Sequence, residues 1–352
     1  MNEARIQSQR HHNNHCQETS FMPVSHRLAR RGFLSLAAAA LAFAGAPAQA
    51  QAQAFPSKPI KWIVGYPAGG GSDFLARTIG AQMSVQAGQP VIVDNRAGAG
   101  AIIGAEVTAR SPGDGYTVFT ADNGVLVYNP ALYKKLPYAV DRDFAMLGLM
   151  ARTPLVLVAA PSTNLKTIGA LMEQLKSKPG TLSYASPGNG SPHHLAMELF
   201  LSRSGLSTMH VPYRGAAPAL QDVMGGQVPL MVVDTSSGLS AIQSGKVIPL
   251  MAFSAKRLPI LPAVPTVGEQ GFKDSEAYAW QGLVVPASTP AAIQERLSKE
   301  MQAALANEGV RKRLQEGGWE PVPSDSVLMK TYAFAETKKW HALIRERGIS
   351  LD

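Results

Sequence analysis

Short apolar runs alternate with helical patterns along most of this chain, and that alternation restricts the fold more than any other feature. The runs fall at residues 60–66, 90–94, 116–120, 155–160, 182–185, 209–213, 228–233, 247–253 and 283–286. Strand-length segments alternating with helices predict an α/β protein with largely parallel sheets. Helix starts are marked at Thr167 before residues 168–175, at Ser191-Pro192 before 193–201, and at Thr289-Pro290 before 291–305. A hydroxyl residue at the N-cap followed by proline at N1 is a strong start signal, because proline gives up only an N–H that has no helical partner there. From residue 291 onward the pattern is helical.

A coarse duplication lies within this alternation. A strand, a glycine-rich loop and a helix opened by serine occur over residues 62–77 and again over 182–201, the latter reading LSYASPGNGSPHHLAMELFL. Two such units predict two α/β lobes, each presenting a helix N-terminus to the space between them. Crossings between lobes are expected near residues 152–154 and 275–280. Residues 55–153 with 277–352 would form one domain and 154–276 the other. Ligands of open α/β folds sit at the carboxyl ends of parallel strands, where these loops fall.

Residues 1–54 read as an export signal. Arg30-Arg31-Gly32-Phe33-Leu34 opens an Ala/Leu-rich run to about residue 46, followed by small-x-small cleavage patterns between Ala48 and Ala54. The run is shorter than the roughly 20 residues a membrane span needs. The arginine pair suits the twin-arginine route. Met22 is an alternative start, which would leave the His11, His12, His15 and Cys16 cluster upstream of the protein. The segment carries five basic residues (Arg5, Arg10, Arg27, Arg30, Arg31) and two acidic ones (Glu3, Glu18), so its removal takes the formal charge from +8 to roughly +5. That mild, dispersed charge does not support a nucleic-acid partner. Cys16, the only cysteine of the 352 residues, precedes the cut, so thiol chemistry and Cys-ligated metal are not expected in the mature chain. The expected location is the periplasm.

The glycine loops were weighed against known anion cradles. A phosphate-binding Walker loop needs Gly-Lys-Ser/Thr, whereas Gly71 precedes Ser72-Asp73 and no lysine is present. Residues 98–104 spell G-x-G-x-x-x-G, one residue longer than the dinucleotide fingerprint, with no acidic residue placed for a ribose. Close helix–sheet packing is the preferred reading there, and a dinucleotide-dependent oxidoreductase is a distant alternative. His193, His194, His210 and His341 show no metal spacing, and a Ser191/His194/Asp234 triad has no support in spacing. His194 and Glu198, at i and i+4, suggest a surface pair. No catalysis, metal or cofactor is expected. What remains is a carboxylate site, because convergent N–H and O–H donors at glycine-rich helix starts suit that anion. The donors would be Gly69, Gly70 and Ser72 in one lobe, and Gly188, Asn189, Gly190 and Ser191 in the other.

The run Tyr66-Pro67-Ala68-Gly69-Gly70-Gly71-Ser72-Asp73-Phe74-Leu75-Ala76-Arg77 resembles the first signature of the Bug proteins, extracytoplasmic solute-binding proteins of tripartite tricarboxylate transporters. The likeness continues through residues 88–100, Pro112-Gly113-Asp114-Gly115-Tyr116-Thr117, Asn129-Pro130-Ala131-Leu132-Tyr133 with Leu136-Pro137-Tyr138, and Val211-Pro212-Tyr213-Arg214-Gly215. It ends with Ala263-Val264-Pro265-Thr266 and residues 285–290. The resemblance implies a two-domain Venus-flytrap fold that closes on a carboxylate without cofactor or catalysis. It implies release to a membrane permease of one large and one small subunit, and a monomeric receptor. By position it implies that residues 66–73, including Tyr66 and Asp73, hold one end of the ligand. Residues 186–194, including Ser186 and His194, would hold the other, with Tyr213, Arg214, Gly215 and Asp234 nearby. A sensor docking on a signalling partner is the alternative use of the same fold.

One departure matters. Where family members often carry small hydroxyl residues and a histidine, this chain has Ala121-Asp122-Asn123-Gly124-Val125. Asp122 would repel a second carboxylate or bind an amine, unless it caps a turn away from the cleft. With Asp122 and Asn123 in the site, the ligand classes to consider are a dicarboxylate, an aromatic acid and an amino acid.

Overall fold

The computed structural model describes residues 55–352; the export segment and its histidine cluster lie outside them. Among the described residues ten strands form one sheet, eight of them in the order β2-β1-β3-β9-β4-β7-β5-β6, with β8 and β10 pairing to β4 off this path. The strands are β1 (Ile60–Val64), β2 (Val91–Asn95), β3 (Thr117–Asp122), β4 (Phe144–Ala159), β5 (Ser183–Ser186), β6 (Met209–Pro212), β7 (Leu230–Asp234), β8 (Ile248–Ala252), β9 (Tyr278–Pro286) and β10 (Glu320–Pro321).

The expectation of parallel sheets holds at the two outer ends, where β2-β1-β3 and β6-β5-β7 pair in parallel through helical crossovers. Between them the pairing is antiparallel, because β4 and β9 run against their neighbours. Strand β4 is 16 residues long. Its first part pairs with β9 from Phe144 to Pro154, and from Leu155 it pairs with β7 and β8 instead. The change of partner falls at a proline, which has no N–H to give to a ladder.

Only the second part of β4 (residues 155–160) and the end of β9 (residues 283–286) are evident as strands in the sequence. The first part, FAMLGLMAR, is rich in Ala, Met and Leu, and tertiary pairing overrides that composition. Helix starts are clearer. Thr167 and Ser191 each accept a bond from the N–H three residues on, from Ala170 and His194 respectively. At the third start the N-cap is Pro290, which provides no side-chain bond, and the Thr289 hydroxyl is buried without a partner.

Apolar side chains fill both faces of the sheet. Trp62, Leu75, Ile79 and Met301 pack between β1 and the helices Gly71–Ala87 and Ala291–Ala306. Val156, Val158, Val223 and Val233 pack around the second part of β4. The helix Ser326–Glu346 lies across the middle, with Trp340 buried edge-on against Tyr128 at 5.4 Å. Among the described residues no helix is long and apolar enough to cross a membrane.

At Gly148 in β4, an added Cβ would lie 2.0 Å from the carbonyl oxygen of Ser324. Because that obstacle is backbone, the strand or the segment after β10 must shift. Gly148→Ala is expected to lower stability by about 1–3 kcal/mol, read as a lower urea midpoint with unchanged slope.

Candidate functional site

Strand β1 delivers the chain into residues 65–70, a loop exposed from Pro67 to Gly70 whose turn uses Gly69 at φ +81°. The following helix, Gly71–Ala87, has Gly70 as N-cap and no side-chain cap bond, so its first N–H groups have no partner within the helix. Asp73, in the first turn, folds back to accept from Gly69 N at 2.9 Å and from Arg77 Nε at 2.9 Å. Burial alone would raise the Asp73 pKa, but the bonds from Arg77 and Gly69 outweigh it and hold the carboxyl low. Asp73 thus staples the loop, and the backbone donors at the helix start are left free.

Tyr66 donates its hydroxyl to Asp122 Oδ2 at 2.5 Å, and Asp122 Oδ1 accepts from Val125 N at 2.9 Å. Asp122 thus caps the π-helical turn Gly124–Tyr128, one of its two expected roles, while also bonded to Tyr66 of the first glycine loop. Burial raises its pKa, and these bonds offset part of the rise. Asn123 is fully buried, donating Nδ2 to the Tyr128 hydroxyl at 2.7 Å and to the Tyr278 carbonyl at 3.0 Å. Across the β3–β9 ladder Asp122 stands opposite Gln281, so the two side chains share a face. Gln281 Nε2 bonds Ser72 Oγ at 2.5 Å. A polar strip Tyr66–Asp122–Gln281–Ser72 follows.

The second loop leaves β5 at Ser186. Its hydroxyl lies 2.7 Å from His210 Nε2 and accepts from Gly188 N at 3.1 Å. Gly190, at φ +71°, donates its N–H to His194 Nδ1 at 3.1 Å, which places the His194 proton on Nε2. His194 stacks on His210 with centroids 4.0 Å apart, and His210 stacks on Tyr184 at 4.8 Å. Burial pushes both imidazoles down to about 4, and the neighbouring His194 adds to the effect at His210.

The expected surface pair of His194 and Glu198 is not formed. Both side chains are buried, and Glu198 instead accepts from the Tyr184 hydroxyl at 2.8 Å and Arg347 Nε at 2.7 Å. Tyr213 holds the loop from behind, through its N–H to the Ser186 carbonyl at 2.9 Å and its hydroxyl to Asp222 at 2.6 Å. Gly215 N bonds the Pro187 carbonyl at 3.0 Å. Asn189 and Arg214 are exposed.

Asp234 ends β7 and caps the helix Thr235–Gln243, accepting from Ser237 N at 2.9 Å, from both following serine hydroxyls, and from His193 Nε2 at 2.9 Å. Burial would raise its pKa, but these donors prevail and hold it well below the carboxylate range. The imidazole at Asp234 belongs to His193 rather than His194, so Ser191, His194 and Asp234 do not assemble.

The two sets of loops approach each other directly. A Cβ on Gly71 would lie 3.2 Å from Trp319 Cζ2 and 3.3 Å from Ser236 Oγ. One on Gly190 would lie 2.6 Å from Leu132 Cδ1. Sequence reasoning missed Gln281, His193, Ser236 and Trp319 because no local motif marks them. Gln281 enters through strand register, Trp319 through a return of the chain from residue 319. A surface depression of ≈ 530 Å³ beside Met172, Glu173 and Lys176 touches none of the candidate residues. A smaller one, ≈ 260 Å³, borders Ser236 and Gly318. At the other glycine loop, a Cβ on Gly104 would lie 3.0 Å from Gly65 Cα, in line with close packing of helix on sheet.

Two loops with glycine turns each open a helix, and the first of these helix starts lies against Trp319 and Ser236. The family model described as "Tripartite tricarboxylate transporter family receptor" matches residues 75–349. The chain belongs to this family. It is a Bug receptor by sequence and by fold. It is 34% identical over 298 residues to Protein BugT of Bordetella pertussis, covering 84% of this chain and 91% of that one. Among solved structures, R. palustris Rpa4515 with adipate shares 31% identity at a TM-score of 0.78, covering 84% of this chain and 99% of that chain. MatC from Rhodopseudomonas palustris with bound malate shares 30% identity at a TM-score of 0.74, covering 82% and 100%. Members of the family are periplasmic receptors, and their fold has two domains.

The stacked imidazoles give a pH signature. The native rings stay neutral down to about pH 4, whereas unfolded ones protonate near 6.5. Between those values the unfolded state binds more protons, so stability falls as pH is lowered from 6.5 toward 4. His210→Gln is expected to flatten that slope relative to the parent Bug receptor, read from urea midpoints at pH 7, 6, 5 and 4.

Proposed function

We propose that this Bug receptor captures a small carboxylate between two domains outside the cytoplasm and delivers it to a tripartite permease of one large and one small membrane subunit. The observation that carries this reading is the uncapped helix start at Gly71, which lies against Ser236 in the first turn of the helix Thr235–Gln243. The domains would be residues 55–153 with 277–352, and 154–276. The hinge would lie where β4 changes partner after Pro154 and where β9 begins at Tyr278. Residues 1–54 would be cleaved near Ala50–Ala54 on export.

The donors are neutral. Ser72 Oγ already accepts from Gln281, and Ser191 Oγ accepts from His194 N, so each hydroxyl keeps its own proton to donate. Backbone N–H groups at the helix starts add to these. A charge-assisted bond in a closing, low-dielectric cleft is stronger than one in water, while the absence of a buried cation from the donor set keeps binding reversible. Relatives with adipate and malate support a dicarboxylate among the ligand classes. Asp122 in the floor favours a ligand that also carries a hydrogen-bond donor, such as an amino acid. The carboxylates of the site and the His193 and His194 rings are engaged in structural bonds, which favours a receptor over an enzyme.

Calorimetry with mono-, di- and tricarboxylates, aromatic acids and amino acids tests the proposal. The double substitution Ser72→Ala/Ser191→Ala is expected to weaken carboxylate binding by about tenfold or more. Loss of the Ser191 cap should cost about 1 kcal/mol of stability as a separate effect. Unchanged affinity would refute these donors.

A further inference from the structure

We propose that Trp319 is a ligand residue of this receptor, its indole N–H donating to a carboxylate seated between the starts of the helices Gly71–Ala87 and Thr235–Gln243. The inference rests on the carboxylate reading above and adds a donor from a third segment of the chain.

The four tryptophans of the chain are Trp62, Trp280, Trp319 and Trp340. Three have acceptors: Trp62 Nε1 bonds Thr120 Oγ1 at 2.7 Å, Trp340 Nε1 bonds Glu336 at 2.7 Å, and Trp280 Nε1 approaches the same carboxylate at 3.4 Å. Trp319 is 4% exposed, and its Nε1 has no partner. A buried indole N–H ordinarily finds an acceptor. The Cζ2–Cε2 edge of this ring, next to Nε1, lies against Gly71, 3.2 and 3.9 Å from a Cβ there.

That position is electropositive without a cation. The helix starting at Gly71 has no side-chain cap, and its positive end meets Ser236, in the first turn of the helix Thr235–Gln243. Two positive helix ends and an unmatched N–H converge on one spot. The nearby carboxylates are occupied, Asp73 by Gly69 and Arg77, and Asp234 by His193, Ser236 and Ser237. Trp319 is held in place: Thr235 Oγ1 donates to the Gly318 carbonyl at 2.6 Å, and Glu320 pairs with Arg152 in the β10–β4 ladder. A planar carboxylate matches this donor set, with one oxygen to the indole and the other to the N–H groups of the first helical turn. The second lobe then meets this end of the ligand through residues 235–237, and the loop 186–194 is left for the remainder of the ligand.

The test is made on the full chain with malate, adipate, glutamate and benzoate as probes. Trp319→Phe keeps an aromatic ring and removes the donor. It is expected to weaken any probe that binds the parent by about tenfold or more, with the melting temperature little changed. In the 15N-labelled parent, the Trp319 indole resonance should shift on titration while the Trp62 resonance stays in place; this reading does not depend on the variant folding. Equal affinity in Trp319→Phe, or an indole resonance unmoved by a probe that binds, overturns the assignment and leaves the carboxylate reading intact. If no probe binds the parent, the carboxylate reading fails and this inference fails with it.

Discussion

Strand β4 belongs to both halves of the sheet, and the rest of the architecture depends on that sharing. Its 16 residues pair with β9 up to Pro154 and with β7 and β8 from Leu155 onward. The outer parallel units hang from this antiparallel pair, and the loops at residues 66–73 and 186–194 follow strands of different units, β1 and β5. Close backbone contacts reinforce the pair on the first side, where Gly148 meets the Ser324 carbonyl and Gly282 leaves no room beside Met329. On the second side of Pro154 no such clamp involves β9, which ends its pairing with β4 at Tyr278. In the proposed two-domain receptor, this change of partner is where rotation of one unit against the other would cost the fewest hydrogen bonds.

The polar groups around the facing loops follow one rule: ionised side chains are neutralised internally, and neutral donors are left over. Asp73, Asp122 and Asp234 each accept two or more bonds from their own surroundings. The imidazoles of His194 and His210 are kept uncharged by burial, with the neighbouring His194 adding to the effect at His210. The carboxylates thereby cap helices and turns instead of repelling an incoming anion. In the proposed site, dipolar N–H and O–H groups would supply the attraction, and they would need no counter-ion with the cleft open to water.

Much of this was legible in local sequence, and what was not has a common cause. Thr167 and Ser191 announced their helices because a cap is a contact over three residues. The glycine loops announced themselves because only glycine suits turns such as Gly69 and Gly190 at positive φ. By contrast, Gln281 matters through its register opposite Asp122, and Trp319 because the chain returns to Gly71 from far along the sequence. Neither relation leaves a periodic or spaced trace. His193 and His194 show the limit most directly: adjacent on one helix, they point to different partners, Asp234 and Gly190. His194 and Glu198 stand at i and i+4 on one helix, but burial gives each a different partner and the expected surface pair does not form.

The remaining unsatisfied atoms link the site to its motion. Asn123 Oδ1, Gln281 Oε1, His193 Nδ1 and Trp319 Nε1 are all buried without partners. Each unmatched buried group costs roughly 1–3 kcal/mol, and the meeting of two positive helix ends at Gly71 and Ser236 adds repulsion. Closed loops without a ligand are thus penalised by several independent terms. A carboxylate between the helix ends reverses the electrostatic term and satisfies the indole, and a donor on the same ligand would satisfy Gln281 or Asn123. The ligand that relieves most of these at once has the largest difference in affinity between closed and open forms, and only that difference can drive closure.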